Sequence, residues 1–154
     1  MILVTKRLRV EDWDSWVGKQ TRVTSTYTAS WGSTVEMLKR EIEYLQEPGM
    51  PDPVLLMDIA AKDLKVDGQV RANARPANTN AVALLFESVK AGPLTFTCDR
   101  FESVPFRNRM MLWQHNLRSI ALTLYALRSV DRYGVDSTGK QYAGWRQNEE
   151  DPYA

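Results

Sequence analysis

The chain has 154 residues, a length typical of one domain, and its hydrophobic fraction of 44% is that of a globular protein. Its 20 Lys and Arg residues nearly balance 19 Asp and Glu residues, which excludes a protein that coats nucleic acid by bulk positive charge. One Cys excludes an internal disulfide framework, and one Cys with one His excludes a zinc site built from several such ligands.

The N-terminal region begins with a short apolar stretch that predicts a strand over residues 2–8. This stretch is too short for a secretory signal, and its basic residues follow it instead of preceding it. No apolar run approaches the roughly 18 residues needed to cross a bilayer, so we expect a cytoplasmic protein with no membrane partner. Residues 1–30 form an arm rich in Trp and Thr, and the alternation over residues 27–31 predicts a second short strand or an extended segment.

The first predicted helix covers residues 34–46. Ser33 and Glu36 have the spacing of a capping box, and Pro48-Gly49 ends the helix. Apolar residues recur every three or four positions, which marks one buried face made of Val35, Leu38, Ile42 and Leu45.

Three strands are predicted between this helix and the next. Residues 54–57 are a continuous apolar run between turn residues, which is typical of a buried strand. Residues 82–89 and 94–99 flank a turn at residues 91–93 and predict a hairpin. Residues 63–80 are polar and predict a loop or a second hairpin around Asp67-Gly68.

A long helix is predicted from residue 106 to residue 133, because this stretch has no Gly or Pro and carries apolar residues at helical spacing. We expect Gly134 to close the helix and residues 146–154 to form a frayed tail. Tyr142 and Trp145 either fold back onto the long helix or sheet, or form an aromatic patch that contacts a protein partner. This order of elements predicts a single α+β domain, with a mainly antiparallel sheet packed against two helices.

Three segments near the C-terminus, residues 113–122, 126–135 and 139–145, have a specific pattern, and residues 67–74 and 92–99 add to it. On these residues the chain resembles an uncharacterised family of actinobacterial and actinophage proteins. The resemblance covers roughly residues 31–145, and its last third is the most specific. In longer members of that family a J-domain, the co-chaperone module that stimulates Hsp70, follows a segment of this kind. The resemblance therefore implies a module that can travel with a J-domain, and it carries over no activity.

The chain departs from the family pattern in three places. Residues 76–81 lack the His-Pro-Gly-like turn expected there, and Lys140 replaces an expected acid. A J-domain needs a His-Pro-Asp loop between two helices, whereas His115-Asn116-Leu117 lies inside a predicted helix. We therefore expect no J-domain in this chain and infer no co-chaperone activity.

The leading candidate for a binding site is a basic ridge along the long helix. At 100° per residue, five of its side chains lie within about 40° of one another: Arg107, Gln114, Arg118, Tyr125 and Arg132. Such a ridge could contact phosphates while bases stack on the Tyr ring, or it could be an ordinary solvated face. Arg128 could pair locally with Asp131. Trp13 and Trp16 could contribute an aromatic contact for a protein partner or for a homo-oligomer.

An enzymatic alternative is a metal-dependent nuclease. Asp63, Asp67 and Glu87 supply carboxylates of the kind that hold Mg²⁺, and Lys65 could stabilise the reacting groups. Ordinary surface charge explains the same residues. His115 could act as a general base, but no nucleophile is identified with it, which favours a surface or hydrogen-bonding role.

No coherent catalytic set emerges, and we assign no catalytic residue, metal or cofactor. The sequence therefore favours a non-enzymatic binding or accessory module of phage or actinobacterial origin, with a protein or nucleic-acid partner. A metal-dependent nuclease and a structural, self-assembling protein are the alternatives.

Overall fold

A computed structural model of the chain describes residues 1–8, 21–106 and 108–147. It confirms the α+β class, since two helices within these ranges accompany a mainly antiparallel sheet and the second of them is long. The helices are α1 (Trp31–Leu45) and α2 (Leu112–Arg132), and two 3₁₀ segments span Ala61–Asp63 and Lys140–Trp145. The strands are β1 (Val4–Arg7), β2 (Val23–Thr24), β3 (Val54–Met57), β4 (Val82–Ser88), β5 (Gly92–Cys98) and β6 (Phe101–Ser103).

The main sheet has the strand order β1-β3-β4-β5. Strands β4 and β5 form the predicted hairpin, with Ser88 opposite Gly92, and β4 also runs antiparallel to β3. Strand β1 is parallel to β3, because α1 supplies the crossover connection that parallel strands require. Strands β2 and β6 form a separate parallel pair, with β2 at Val23–Thr24. Of the two alternatives predicted for residues 27–31, the strand is wrong, because residues 25–30 are in neither a strand nor a helix and α1 begins at Trp31.

Helix α1 starts three residues earlier than predicted, and its cap is Ser30 instead of Ser33. The Ser30 hydroxyl accepts a hydrogen bond from the Ser33 amide at 3.1 Å, which satisfies one of the free amides at the helix start. The capping-box pattern favoured Ser33 because only Ser33 is followed three residues later by an acid, Glu36, so the local pattern pointed to the wrong Ser. Three of the four residues of the predicted apolar face, Leu38, Ile42 and Leu45, are buried, and the fourth, Val35, is partly buried.

Helix α2 starts six residues later than predicted. Residues 101–103 pair with β2 as strand β6, and Phe106 lies in the following loop with 91% of its surface exposed. The Met111 amide donates to the Gln114 side-chain oxygen at 2.7 Å, which caps the helix start. Gly134, at φ +79°, ends the helix as predicted, because that backbone conformation disfavours other residues.

The hydrophobic core lies between the two helices and one face of the main sheet. Trp113 is fully buried, stacks edge-on against Trp31, and donates from Nε1 to the Ala74 carbonyl at 2.8 Å. This hydrogen bond fixes the polar loop over residues 63–80 against the start of α2. Within that loop, Leu64 and Val70 form a single antiparallel bridge around Asp67-Gly68, and residues 63–80 contain no strand, so of the two predicted alternatives the loop is the one observed.

The segment after α2 folds back onto the sheet, as predicted for its aromatic residues. Tyr142 is buried, and Trp145 stacks on Phe96 of β5 with ring centres 5.2 Å apart. The prediction of a frayed tail is wrong for Arg146 and Gln147, which bridge to β5; the Gln147 amide donates to the Pro93 carbonyl at 3.1 Å. Among the described residues, no helix is both long and apolar enough to cross a membrane.

Candidate binding surface

Two aromatic–arginine stacks lie side by side on the C-terminal half of α2. The Arg132 guanidinium carbon lies 4.6 Å from the centre of the Tyr125 ring, and that of Arg128 lies 4.3 Å from the Tyr44 ring on α1. Residues 125, 128 and 132 share one face because they are three and four positions apart. Both tyrosines are exposed, at 43% for Tyr125 and 44% for Tyr44. We call these four side chains the Tyr–Arg surface.

Arg128 also pairs with the carboxylate of Glu41 in α1. Its Nη1 atom lies 3.3 Å from Glu41 Oε1, and the Glu41 side chain is only 1% exposed. The local pairing with Asp131 considered from the sequence is therefore replaced by a contact between the helices. A buried carboxylate is costly without a cation, so the ion pair with Glu41 holds Arg128 in place over the Tyr44 ring.

The predicted basic ridge is only partly present. Gln114 is buried, and its side-chain amide donates to the Ala72 carbonyl at 2.7 Å, so the prediction that it lies on an exposed ridge is wrong. The loop over residues 71–75 covers this end of the helix, which helical periodicity does not reveal. Arg118 is partly buried and donates from Nη1 to Thr34 Oγ1 at 3.0 Å. Tyr125 and Arg132 are exposed, whereas Arg107, Trp13 and Trp16 lie outside the described residues.

The structure does not gather the nuclease candidates into a metal site. The Gly68 carbonyl accepts from the Thr5 amide at the outer edge of β1, so the turn that carries Asp63, Lys65 and Asp67 has β1 and β3 between it and Glu87 on β4. Within the described ranges, no group of three or more His, Cys, Asp and Glu side chains could hold a metal ion. Hydrogen bonds from the Gln69 side chain and amide lower the pKa of Asp67, which gives this carboxylate a role in the turn.

A buried polar pair at the start of α2 was not recognised as a pair from the sequence. His115 Nδ1 and Ser25 Oγ are 2.6 Å apart, and these residues are 0% and 1% exposed. The Tyr27 amide donates to the same hydroxyl at 3.1 Å, which leaves the hydroxyl hydrogen for the imidazole. Burial lowers the pKa of His115, against a smaller opposing effect of the Met110 backbone, so the ring is neutral at neutral pH.

This pair has the residue types of a nucleophile and its base, but its surroundings favour a structural role. Tyr27 stacks on the imidazole with ring centres 6.1 Å apart, and Phe101 packs edge-on against it at 6.2 Å. Because the Ser25 hydroxyl is buried beside this packed imidazole, no space next to it could hold the carbonyl group of a substrate. The predicted hydrogen-bonding role of His115 is therefore confirmed. No sequence signal pointed to Ser25, because it precedes His115 by 90 residues.

Comparisons of the chain with known protein families, with curated proteins and with solved structures find no match. The resemblance to actinobacterial and actinophage proteins therefore stays a prediction. Any functional proposal for the chain rests on the arrangement of its own side chains.

Proposed function

We propose that the chain is a non-enzymatic binding module that docks a protein partner through the Tyr–Arg surface. The observation that carries the proposal is the pair of guanidinium–ring stacks on neighbouring helices, in which both Tyr rings and the Arg132 side chain are exposed and Arg128 is partly buried. Tyr and Arg dominate the energetics of protein interfaces because they bring large, fairly rigid area together with polar atoms. The stacks hold these side chains in place before binding, which reduces the entropy lost when a partner docks.

The charge of the surface favours a protein over a nucleic acid. Arg128 is neutralised by Glu41, and Arg118 is directed to a Thr hydroxyl. Arg132 thus remains as an exposed cation on this part of α2, with Asp131 beside it in the chain. Binding to a phosphate backbone depends on several cations that each release a counterion, and this surface supplies few of them.

The proposal is tested by comparing three immobilised forms of the full chain in an actinobacterial lysate, with and without nuclease treatment. The forms are the wild type, a Tyr125→Ala/Arg132→Ala variant, and a control with the exposed pair Val66→Ala/Arg71→Ala. We expect a protein retained by the wild type and the control to be lost from the surface variant. Retention that is indifferent to the surface substitutions, or that disappears on nuclease treatment, would contradict the proposal.

Sedimentation velocity over a wide range of protein concentration distinguishes self-assembly from binding of a different protein. We expect the wild type and the surface variant to sediment alike. A dimer that Tyr125→Ala/Arg132→Ala disrupts would instead assign the surface to contacts between copies of the chain.

A further inference from the structure

Residues 21–30 form a segment, here called the strap, that lies against β6 and the first half of α2. The structure describes all of its residues, and Ser25 alone among them is buried. None of its side chains belongs to the hydrophobic core between the helices and the main sheet. Because the burial of apolar surface is the main favourable term in folding, the strap is attached more weakly than the strands of the main sheet.

Polar contacts attach the strap to the rest of the fold. They are the ion pair of Arg22 with Asp99 and the hydrogen bonds of Ser25 with His115 and of Tyr27 with Ser119. The Val23 and Ser25 amides also donate to the backbone of β6 and of the residue before it. Of the side chains in these contacts, the imidazole is the one whose charge ordinarily changes between about pH 5 and about pH 8. Acid therefore acts on the strap at the Ser25–His115 contact.

The surroundings of His115 favour the neutral imidazole. From the strap, Ser25 bonds to the ring and Tyr27 stacks on it, and from β6 Phe101 packs edge-on against it. Burial lowers the pKa of His115 more than the backbone of Met110, in the loop before α2, raises it. The water that would stabilise a charged ring is therefore kept away by the strap and β6.

The charged groups near His115 do not compensate for this burial. On the strap, around β6, in the loop before α2 and on the first half of α2, the described charged side chains are Arg22, Asp99, Arg100, Glu102, Arg109 and Arg118. None of them contributes to the pKa of His115. Arg22 pairs with Asp99, Arg118 donates to Thr34 Oγ1, and the other three residues are exposed. Within the described residues, an imidazolium at this position would thus lack a carboxylate partner.

We propose that the strap is a pH-sensitive switch, in which protonation of His115 releases residues 21–30 from β6 and α2 while the helices and the main sheet stay folded. Release lets water reach the charged ring, and water can replace the polar contacts that the strap gives up. It also uncovers the ring of Phe101, on which Tyr27 packs. The switch is independent of the Tyr–Arg surface, which lies on the other half of α2.

Amide hydrogen exchange of the full chain at about pH 7.5 and about pH 5.5 tests the proposal, with each rate divided by the intrinsic exchange rate at that pH. We expect the opening constant of the strap to exceed that of the β4–β5 hairpin at both pH values, which shows that the strap opens without global unfolding. We expect it to rise by up to about tenfold at the lower pH, because the opened His115 titrates near its ordinary value of about 6.5. The proposal is overturned if strap and hairpin have the same opening constant, or if that of the strap does not rise with acid.

Two variants assign the pH response to the imidazole. In His115→Gln nothing titrates at this position, so we expect the opening constant of the strap to be the same at both pH values. Tyr27→Phe is the control, because it removes the hydrogen bond to Ser119 and keeps His115. We expect its strap to open about fivefold more at both pH values, with the ratio between them unchanged. A wild-type pH response in His115→Gln, or its loss in Tyr27→Phe, would overturn the proposal. If His115→Gln does not fold, the wild type and Tyr27→Phe still decide the outcome.

Discussion

The guanidinium of Arg128 and the carboxylate of Glu41 meet at 3.3 Å although 87 residues separate them in the chain. The contact joins α1 to α2 and places the Arg128 guanidinium over the Tyr44 ring. One buried charge thus positions half of the Tyr–Arg surface. The ion pair thus links the two helices and also fixes the position of Arg128 in the Tyr–Arg surface.

Arg128→Met is expected to destabilise the fold by about 3 kcal/mol, because it leaves the buried Glu41 carboxylate without a cation. Adding Glu41→Gln in the same chain is expected to recover most of that loss, since no buried charge then remains. Urea unfolding of the two single variants, the double variant and the wild type measures the coupling. Equal losses in Arg128→Met and in the double variant would show that the carboxylate is solvated and that the pair contributes little.

The stability of the fold is expected to fall as the pH drops below the ordinary histidine value of about 6.5. Burial lowers the pKa of His115, so the unfolded chain takes up a proton at a higher pH than the folded chain does. Above about pH 7 both states hold a neutral imidazole, and the free energy of unfolding gains nothing from this group. Urea unfolding between about pH 7.5 and pH 5.5 measures the effect.

His115→Gln is the control for that pH dependence. A glutamine does not titrate, so the free energy of unfolding of this variant is expected to stay constant over the same pH range, even if the variant is less stable overall. A wild-type profile that matches the variant would mean that the buried imidazole titrates as it does in the unfolded chain.

Ser30→Ala is expected to cost about 1 kcal/mol of stability, because it removes the hydroxyl that caps α1. Ser33→Ala is the matched control at the position that the sequence pattern favoured. The Ser33 hydroxyl donates only to the exposed Ser30 carbonyl, so its loss is expected to cost less than about 0.5 kcal/mol. Thermal unfolding compares the two variants. A larger loss of stability in Ser33→Ala than in Ser30→Ala would show that Ser33 is the capping residue.

Gly139→Ala is expected to destabilise the fold by about 2 kcal/mol. The residue has φ +81°, and an added Cβ would lie 2.9 Å from the Cβ of Lys90 in the turn between β4 and β5. Gly144→Ala is the control, because nothing lies within 4 Å of a Cβ built there. Chemical denaturation compares the two, and a neutral Gly139→Ala would show that the segment after α2 shifts freely against Lys90.

Periodicity within short windows predicted most of the secondary structure. The spacing of Leu38, Ile42 and Leu45 identified α1, and the apolar runs around residues 91–93 identified the β4–β5 hairpin. Gly134 marked the end of α2. These features follow from interactions between residues near one another in the chain, which is why the sequence by itself determined them and the α+β class.

The tertiary structure alone decided which of these elements cover one another. Gln114 shares a helix face with Tyr125, but only the packing of residues 71–75 makes it buried. The described residues between strand β6 and Leu112 form a loop instead of the first turns of the predicted long helix, and Ser25 contacts His115 across 90 residues of sequence. A helical pattern specifies the direction of a side chain but not its neighbour, and the neighbours here come from distant parts of the chain.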